Sequence, residues 1–170
     1  MDTDVLASDN TQTAPITWVS VGILETRRMN ATSTASGGWA DSEIRTYMRE
    51  TLFPKIESTV RLNIKEVNKT YYFSKSTSGV LTVADTVWIP SYREILGGTS
   101  YEDSGPIYSA VFDSAAHRIK RDYGFGIGGS NYWWLRSAYN ALNFRLINNQ
   151  GSGGDANANN VRGLVLGFCT

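Results

Sequence analysis

A mixed α+β domain with short strands, two main helices and long C-terminal loops is what this sequence predicts. Three observations point there. Tyr132-Trp133-Trp134-Leu135-Arg136-Ser137 reads as a buried aromatic strand, and the apolar run at residues 161–168 reads as a closing strand. Elsewhere short apolar runs are mixed with two helical patterns, so no regular βαβ array forms. No internal repeat is present. A chain of 170 residues with 41% hydrophobic residues and five tryptophans fits one domain able to bury a core.

The elements follow in order. Residues 1–15 read as a flexible or truncated segment with a short strand at Val5-Leu6, and the domain proper as 16–170. Residues 16–24 carry enough β-branched and aromatic side chains for one strand. A Ser/Thr/Ala/Gly loop covers 30–38. The clearest helix then starts at Asp41 or Ser42 as cap, with Glu43 in its first turn. Ile44, Tyr47, Met48 and Leu52 stand at helical spacing, and Pro54 ends or kinks it. Residues 60–67 alternate like a half-exposed strand. Tyr71-Tyr72-Phe73 and Val80-Leu81-Thr82-Val83 flank a hairpin turn, and residues 85–90 form a short buried strand. Ser91 caps a single helical turn with Glu94 in the capping-box position. A second helix is expected over 108–121, followed by a Gly-rich linker at 124–129.

Sixteen basic residues balance sixteen acidic ones, so no global field draws in nucleic acid or anionic membrane. The basic clusters Arg27-Arg28 and Arg118-Ile119-Lys120-Arg121 lack the aromatic spacing of a stacking platform. No apolar run of about 18 residues exists, so membrane insertion is not expected. The first residues carry no signal-peptide pattern. Cys169 is the single cysteine and His117 the single histidine, which excludes a disulfide framework and a zinc triad. Cys169 reads as a packed thiol and His117 as a helix-surface residue. Asp41 and Glu43 are helix-start residues, and Glu102-Asp103 stands outside any D-x-D-x-D-G loop. The Gly-rich run precedes a strand instead of joining a strand to a helix, so it is no phosphate loop. No acid, base and nucleophile are nominated together; neither an enzyme, nor a cofactor, nor a metal site is expected.

Four short motifs occur in a fixed order: Trp39-Ala40-Asp41-Ser42-Glu43-Ile44-Arg45, Asp85-Thr86-Val87-Trp88-Ile89-Pro90-Ser91, Trp133-Trp134-Leu135-Arg136-Ser137 and Val161-Arg162. The series resembles a bacterial and phage domain family of unknown function with W-x-x-S-x-I-R, D-x-V-F-L-L-S, W-W-L-R-S-P and G-V-R-P elements, from about Ile16 to the C-terminus. Ala138 and Gly163 depart from it, standing where that family usually has proline. The family is similar in layout to the C-type-lectin-like superfamily, including formylglycine-generating-enzyme-like domains. That likeness implies paired N- and C-terminal strands with binding loops late in the chain. It does not extend to the superfamily's enzymes, whose cysteines or copper ligands are missing here, or to its calcium lectins, whose E-P-N, Q-P-D or W-N-D motifs are absent.

Residues 131–160 resemble the variable segment of proteins diversified by retroelements, where adenine-directed mutagenesis enriches exposed Asn, Tyr, Ser, Asp, Gly and Ala. Candidate ligand contacts are Asn131, Tyr132, Tyr139, Asn140, Asn143, Asn148, Asn149, Asp155, Asn157, Asn159 and Asn160. Trp133, Trp134, Leu135, Arg136 and Arg162 form the framework, the two arginines binding loop carbonyls. Asn and Gly also build ordinary turns, which gives the same composition without diversification. The expected function is ligand binding or receptor recognition at a virion or cell surface, with a protein or glycan partner. The alternative is a structural or assembly module of a larger phage or bacterial surface protein.

Overall fold

A computed structural model describes residues 4–72, 80–97, 105–122 and 132–170. Its strands are β1 (Thr17–Val19), β2 (Glu25–Arg27), β3 (Val67–Tyr71), β4 (Leu81–Asp85), β5 (Val87–Trp88), β6 (Trp133–Ala138), β7 (Asn143–Ile147), β8 (Gly153–Asn157), β9 (Arg162–Leu164) and β10 (Gly167–Cys169). Four short helices accompany them: α1 (Glu43–Tyr47), α2 (Ser58–Arg61), α3 (Tyr92–Leu96) and α4 (Ala115–Arg118). The described residues thus form a mixed α+β domain, mostly sheet.

The main sheet has five strands in the order β2-β9-β6-β7-β8, and a three-stranded sheet runs β1-β10-β5. The first and last strand pairs tie these sheets together. β1 pairs antiparallel with β10, and β2 with β9. Residues 16–24 are therefore not one strand: only Thr17–Val19 is β1, and β2 follows at Glu25–Arg27 in the other sheet. The chain changes sheet at Ser20, whose hydroxyl donates to the carbonyl of Gly22 while accepting from the amide of Leu166. The expected pairing of N- and C-terminal strands is present.

β6 lies inside the main sheet and is buried along its whole length. Its side chains alternate between two cores, as a strand covered on both faces requires. Trp134 packs with Trp39, Met48, Trp88, Phe144 and Leu146 on one face. Trp133 and Leu135 pack with Ile23, Ile95, Phe112, Ile147 and Val165 on the other. The two indoles are held at their polar edges, Trp133 Nε1 donating to the carbonyl of Arg118 and Trp134 Nε1 to that of Arg27.

Several sequence expectations change. Residues 60–67 are not a strand. The Glu57 carboxylate accepts from the amides of Thr59 and Val60 and starts α2, leaving Leu62 85% exposed. The helix at 108–121 shrinks to α4. Tyr108 and Phe112 reach the core from a turn, and Ser114 then caps a fresh helix by accepting from the amide of His117. Short polar side chains that bind nearby backbone outcompete helix continuation there. The first helix does run on, widening to a π turn over Met48–Leu52 and tightening to a 3-10 turn over Phe53–Lys55. Pro54 causes this, because it has no N–H to offer the carbonyl of Glu50.

Two larger corrections concern the ends. The segment before Ile16 is not loose from Asp4 onward: Asp4 and Ala14 are buried, and Leu6 bridges to Val67. The segment at 131–160 is not mainly loop, since β7 and β8 occupy its middle. The capping box at Ser91 and Glu94, by contrast, is formed. The β3–β4 hairpin is formed as well. Its turn at 73–79, the linker at 124–129, Glu102-Asp103 and Asn131 lie outside the described residues.

Candidate functional site

The sequence of β7, Asn143-Phe144-Arg145-Leu146-Ile147, alternates polar and apolar until its last residue. Phe144 and Leu146 enter the core, so Asn143 and Arg145 point to the opposite face. The antiparallel register sets Asn143 against Asn157 and Arg145 against Asp155. Asn143 Nδ2 donates to Asp155 Oδ2 at 2.6 Å. The Arg145 guanidinium lies between two tyrosine rings, 4.4 Å from Tyr92 and 4.5 Å from Tyr139. Such stacking holds an otherwise mobile cation in place. Asn143, Arg145, Asp155 and Asn157 on the hairpin, with Tyr139 beside it and Tyr92 reaching over from α3, form one polar and aromatic face.

The candidate residues therefore divide. Tyr139, Asn143, Asp155 and Asn157 are brought together on this face. Asn140 borders it, but its amide oxygen accepts from the amides of Leu142 and Asn143 and so holds the β6–β7 turn. Asn148 does the same work at the far end of the hairpin, accepting from the amides of Gln150 and Ser152. Asn149 is exposed in that far turn, and Asn159 and Asn160 follow β8, Asn160 closing a backbone turn onto Asn157. Tyr132 stands apart under the Arg162 guanidinium, 5.6 Å from the ring centroid. Sequence reasoning missed Arg145 and Tyr92. The polar-apolar alternation of β7 could have shown Arg145; nothing local marks Tyr92.

Below this face the framework arginine is fully buried. Arg136 donates to the carbonyls of Thr70 and Ile89, and two-pronged to Glu94 at 2.6 and 2.8 Å. Of these, the Ile89 carbonyl lies just past β5, whereas that of Thr70 belongs to strand β3 and the main partner is a carboxylate. Arg162 donates to the carbonyl of Val161. Glu94 also touches Lys69 Nζ at 2.6 Å, and Lys69 Nζ touches Asp4 Oδ1 at 2.5 Å. Tyr108 Oη lies 2.9 Å from Asp4 Oδ2 and 3.2 Å from Glu94 Oε1.

Electrostatics follow from burial and pairing. Burial pushes Glu94 upward, but the Arg136 and Lys69 charges outweigh it and hold the carboxyl at about 2. Burial raises Tyr108 well above its ordinary value, aided by the Glu94 and Asp4 charges. Burial, helped by the Asp4 charge, also pushes the Cys169 thiol up to about 12, which suits a packed thiol and not a nucleophile. His117 is exposed on α4 with Nδ1 2.5 Å from Asp113. No helix among the described residues is long and apolar enough to cross a membrane.

The model of one protein family, described as a domain of unknown function (DUF6273), matches residues 5–165. No curated protein and no solved structure matches the chain. The match spans nearly the whole sequence, and the chain belongs to this family.

Proposed function

For this member of a family of unknown function, we propose ligand or receptor recognition through the outer face of the β7–β8 hairpin. The observation that carries the proposal is the separation of roles along β6 to β8. Trp133, Trp134, Leu135 and Arg136 are fully buried, whereas Asp155, Asn157 and Asn159 are exposed beside half-buried Tyr139 and Asn143. Amide and tyrosine side chains both donate and accept hydrogen bonds, and they do so here at low entropic cost on rigid strands. A protein or glycan on a cell surface is the partner class that this chemistry suits, with the domain displayed on a virion or cell. Pairing of the terminal strands supports a C-type-lectin-like fold. The Asn-rich composition of the exposed positions supports diversification by a retroelement.

The test is a screen of the purified chain against glycan and cell-surface protein libraries, run beside a Tyr139→Ala/Asn157→Ala double variant. Binders lost by a folded double variant support the reading. Binders kept by it move recognition elsewhere.

The assembly-module alternative has its own observation. An apolar groove of about 630 Å³ runs along Ile16, Trp18 and Val19 against residues 107–112. Trp18 is 49% exposed there. A second copy seated in this groove would make the chain self-associate, and Trp18→Ser would return it to monomer in analytical ultracentrifugation.

A further inference from the structure

The buried charge network around Lys69 holds more chemistry than folding alone requires. Lys69, on β3, is 1% exposed, as is Asp4, and Glu94 is fully buried. Lys69 Nζ stands 2.5 Å from Asp4 Oδ1 and 2.6 Å from Glu94 Oε1, with the Trp88 ring 4.2 Å away closing the amine off from water. The other Asp4 oxygen, Oδ2, faces three donors: Tyr108 Oη at 2.9 Å, Thr17 Oγ1 at 3.0 Å and Cys169 Sγ at 3.4 Å. An amine is thus in contact with a carboxylate oxygen, with a second carboxylate on the amine and hydrogen-bond donors on the far oxygen. These are the parts an acyl transfer needs.

We propose that Lys69 and Asp4 condense spontaneously to an intramolecular isopeptide bond, with Glu94 as the proton carrier. One ammonium proton passes along the short contact to Asp4 Oδ1, giving an amine and a carboxylic acid. The amine nitrogen attacks Asp4 Cγ, and negative charge develops on Oδ2 beneath the Tyr108, Thr17 and Cys169 donors. Glu94 Oε1 takes a second proton from the nitrogen and returns it to the Oδ1 hydroxyl. The Cγ–Oδ1 bond breaks, water leaves, and an amide N–H and C=Oδ2 remain. No oxidant or cofactor enters the balance.

Charge accounting favours the product. Two cations (Lys69, Arg136) and two carboxylates (Asp4, Glu94) share the interior, and buried ions carry a large desolvation penalty. Condensation removes one of each sign. What is left is Glu94 held two-pronged by Arg136, a balanced pair. The bond would fasten the N-terminal segment to β3 across 65 residues of sequence.

Intact mass spectrometry of the denatured full chain tests this. The wild type should be lighter than its sequence mass by one water, about 18 Da. In a tryptic digest cleavage after Lys69 should fail, and the peptide 66–75 should appear joined to 1–27. Lys69→Arg keeps the charge but cannot form this bond, and it should show the full mass. Glu94→Gln should abolish or greatly slow the loss. A full-mass wild type overturns the proposal and leaves an ionic network. So does a water loss that survives Lys69→Arg or maps elsewhere, as an aspartyl succinimide would. A 66–75 cross-link that persists in Glu94→Gln overturns the role of Glu94.

Discussion

Single residues divide by what their polar atoms touch. Arg136 holds Glu94 two-pronged inside the core, so Arg136→Met removes that pair and leaves Lys69 as the cation beside the buried carboxylate. It should lower stability by about 3–5 kcal/mol in denaturant titration. Trp134→Ala should cost about 3–5 kcal/mol through the cavity it leaves, whereas Asn157→Ala, on the exposed face, should leave the unfolding midpoint nearly unchanged. Equal destabilisation by both would erase the distinction between framework and face. The pairing of Glu94 also sets a pH dependence. Its folded value of about 2 lies below the ordinary 4.5, so its stabilisation is complete above about 4.5 and lost as pH falls toward 2. Asp85, raised chiefly by burial, works the opposite way, favouring the folded state at the acid end. Acid titrations of wild type and Glu94→Gln should differ in that window, the variant having the flatter curve. The sequence made Trp133, Trp134 and Arg136 legible because a dense aromatic strand has few places to go but inside. It did not reveal the partnership of Asp4, Lys69, Glu94 and Tyr108, whose members lie far apart in the chain and carry no shared local signal.

At the scale of elements, short polar side chains decided what apolar periodicity left open. The capping box at Ser91 was readable because both of its bonds lie within four residues. The interruption of the 108–121 pattern at Ser114 was not, since the apolar spacing of Tyr108, Val111 and Phe112 continues to look helical, while Tyr108 and Phe112 pack from a turn and Val111 is exposed. The β7–β8 hairpin was hidden by its Asn and Gly content, which reads as loop although the register is continuous over five residue pairs. Its turn depends on Gly151, which has φ +75° and whose added Cβ would meet the carbonyl oxygen of Ala115. Gly151→Ala should therefore destabilise by about 1–3 kcal/mol and separate the hairpin from α4, seen as earlier amide exchange in both. Asn148→Ala in the same turn should cost about 1 kcal/mol, because its side chain accepts two turn amides. Gly163 lies with Ile23 against the space a side chain would need.

Across the whole molecule, the segments running from Asp4 to Arg27 and from Arg162 to Cys169 are structural. β1–β10 and β2–β9 stitch two sheets together, and Asp4 reaches the central charge network. Removing residues 1–14 should abolish the cooperative unfolding transition, a result opposite to that expected of a loose leader. On this frame Asp155, Asn157 and Asn159 are exposed, and the proposal is that such positions change without disturbing either core, as a recognition surface needs. Sequencing the region encoding residues 131–160 across a natural population tests that most directly. Substitutions should fall at adenine-bearing codons of Tyr139, Asn143, Asp155, Asn157 and Asn159, sparing Trp133, Trp134, Leu135, Arg136, Phe144 and Leu146. Asn140 and Asn148 should vary less than their exposed neighbours, because their amides hold turns. An invariant segment, or changes spread evenly over buried and exposed positions, would contradict a diversified recognition face.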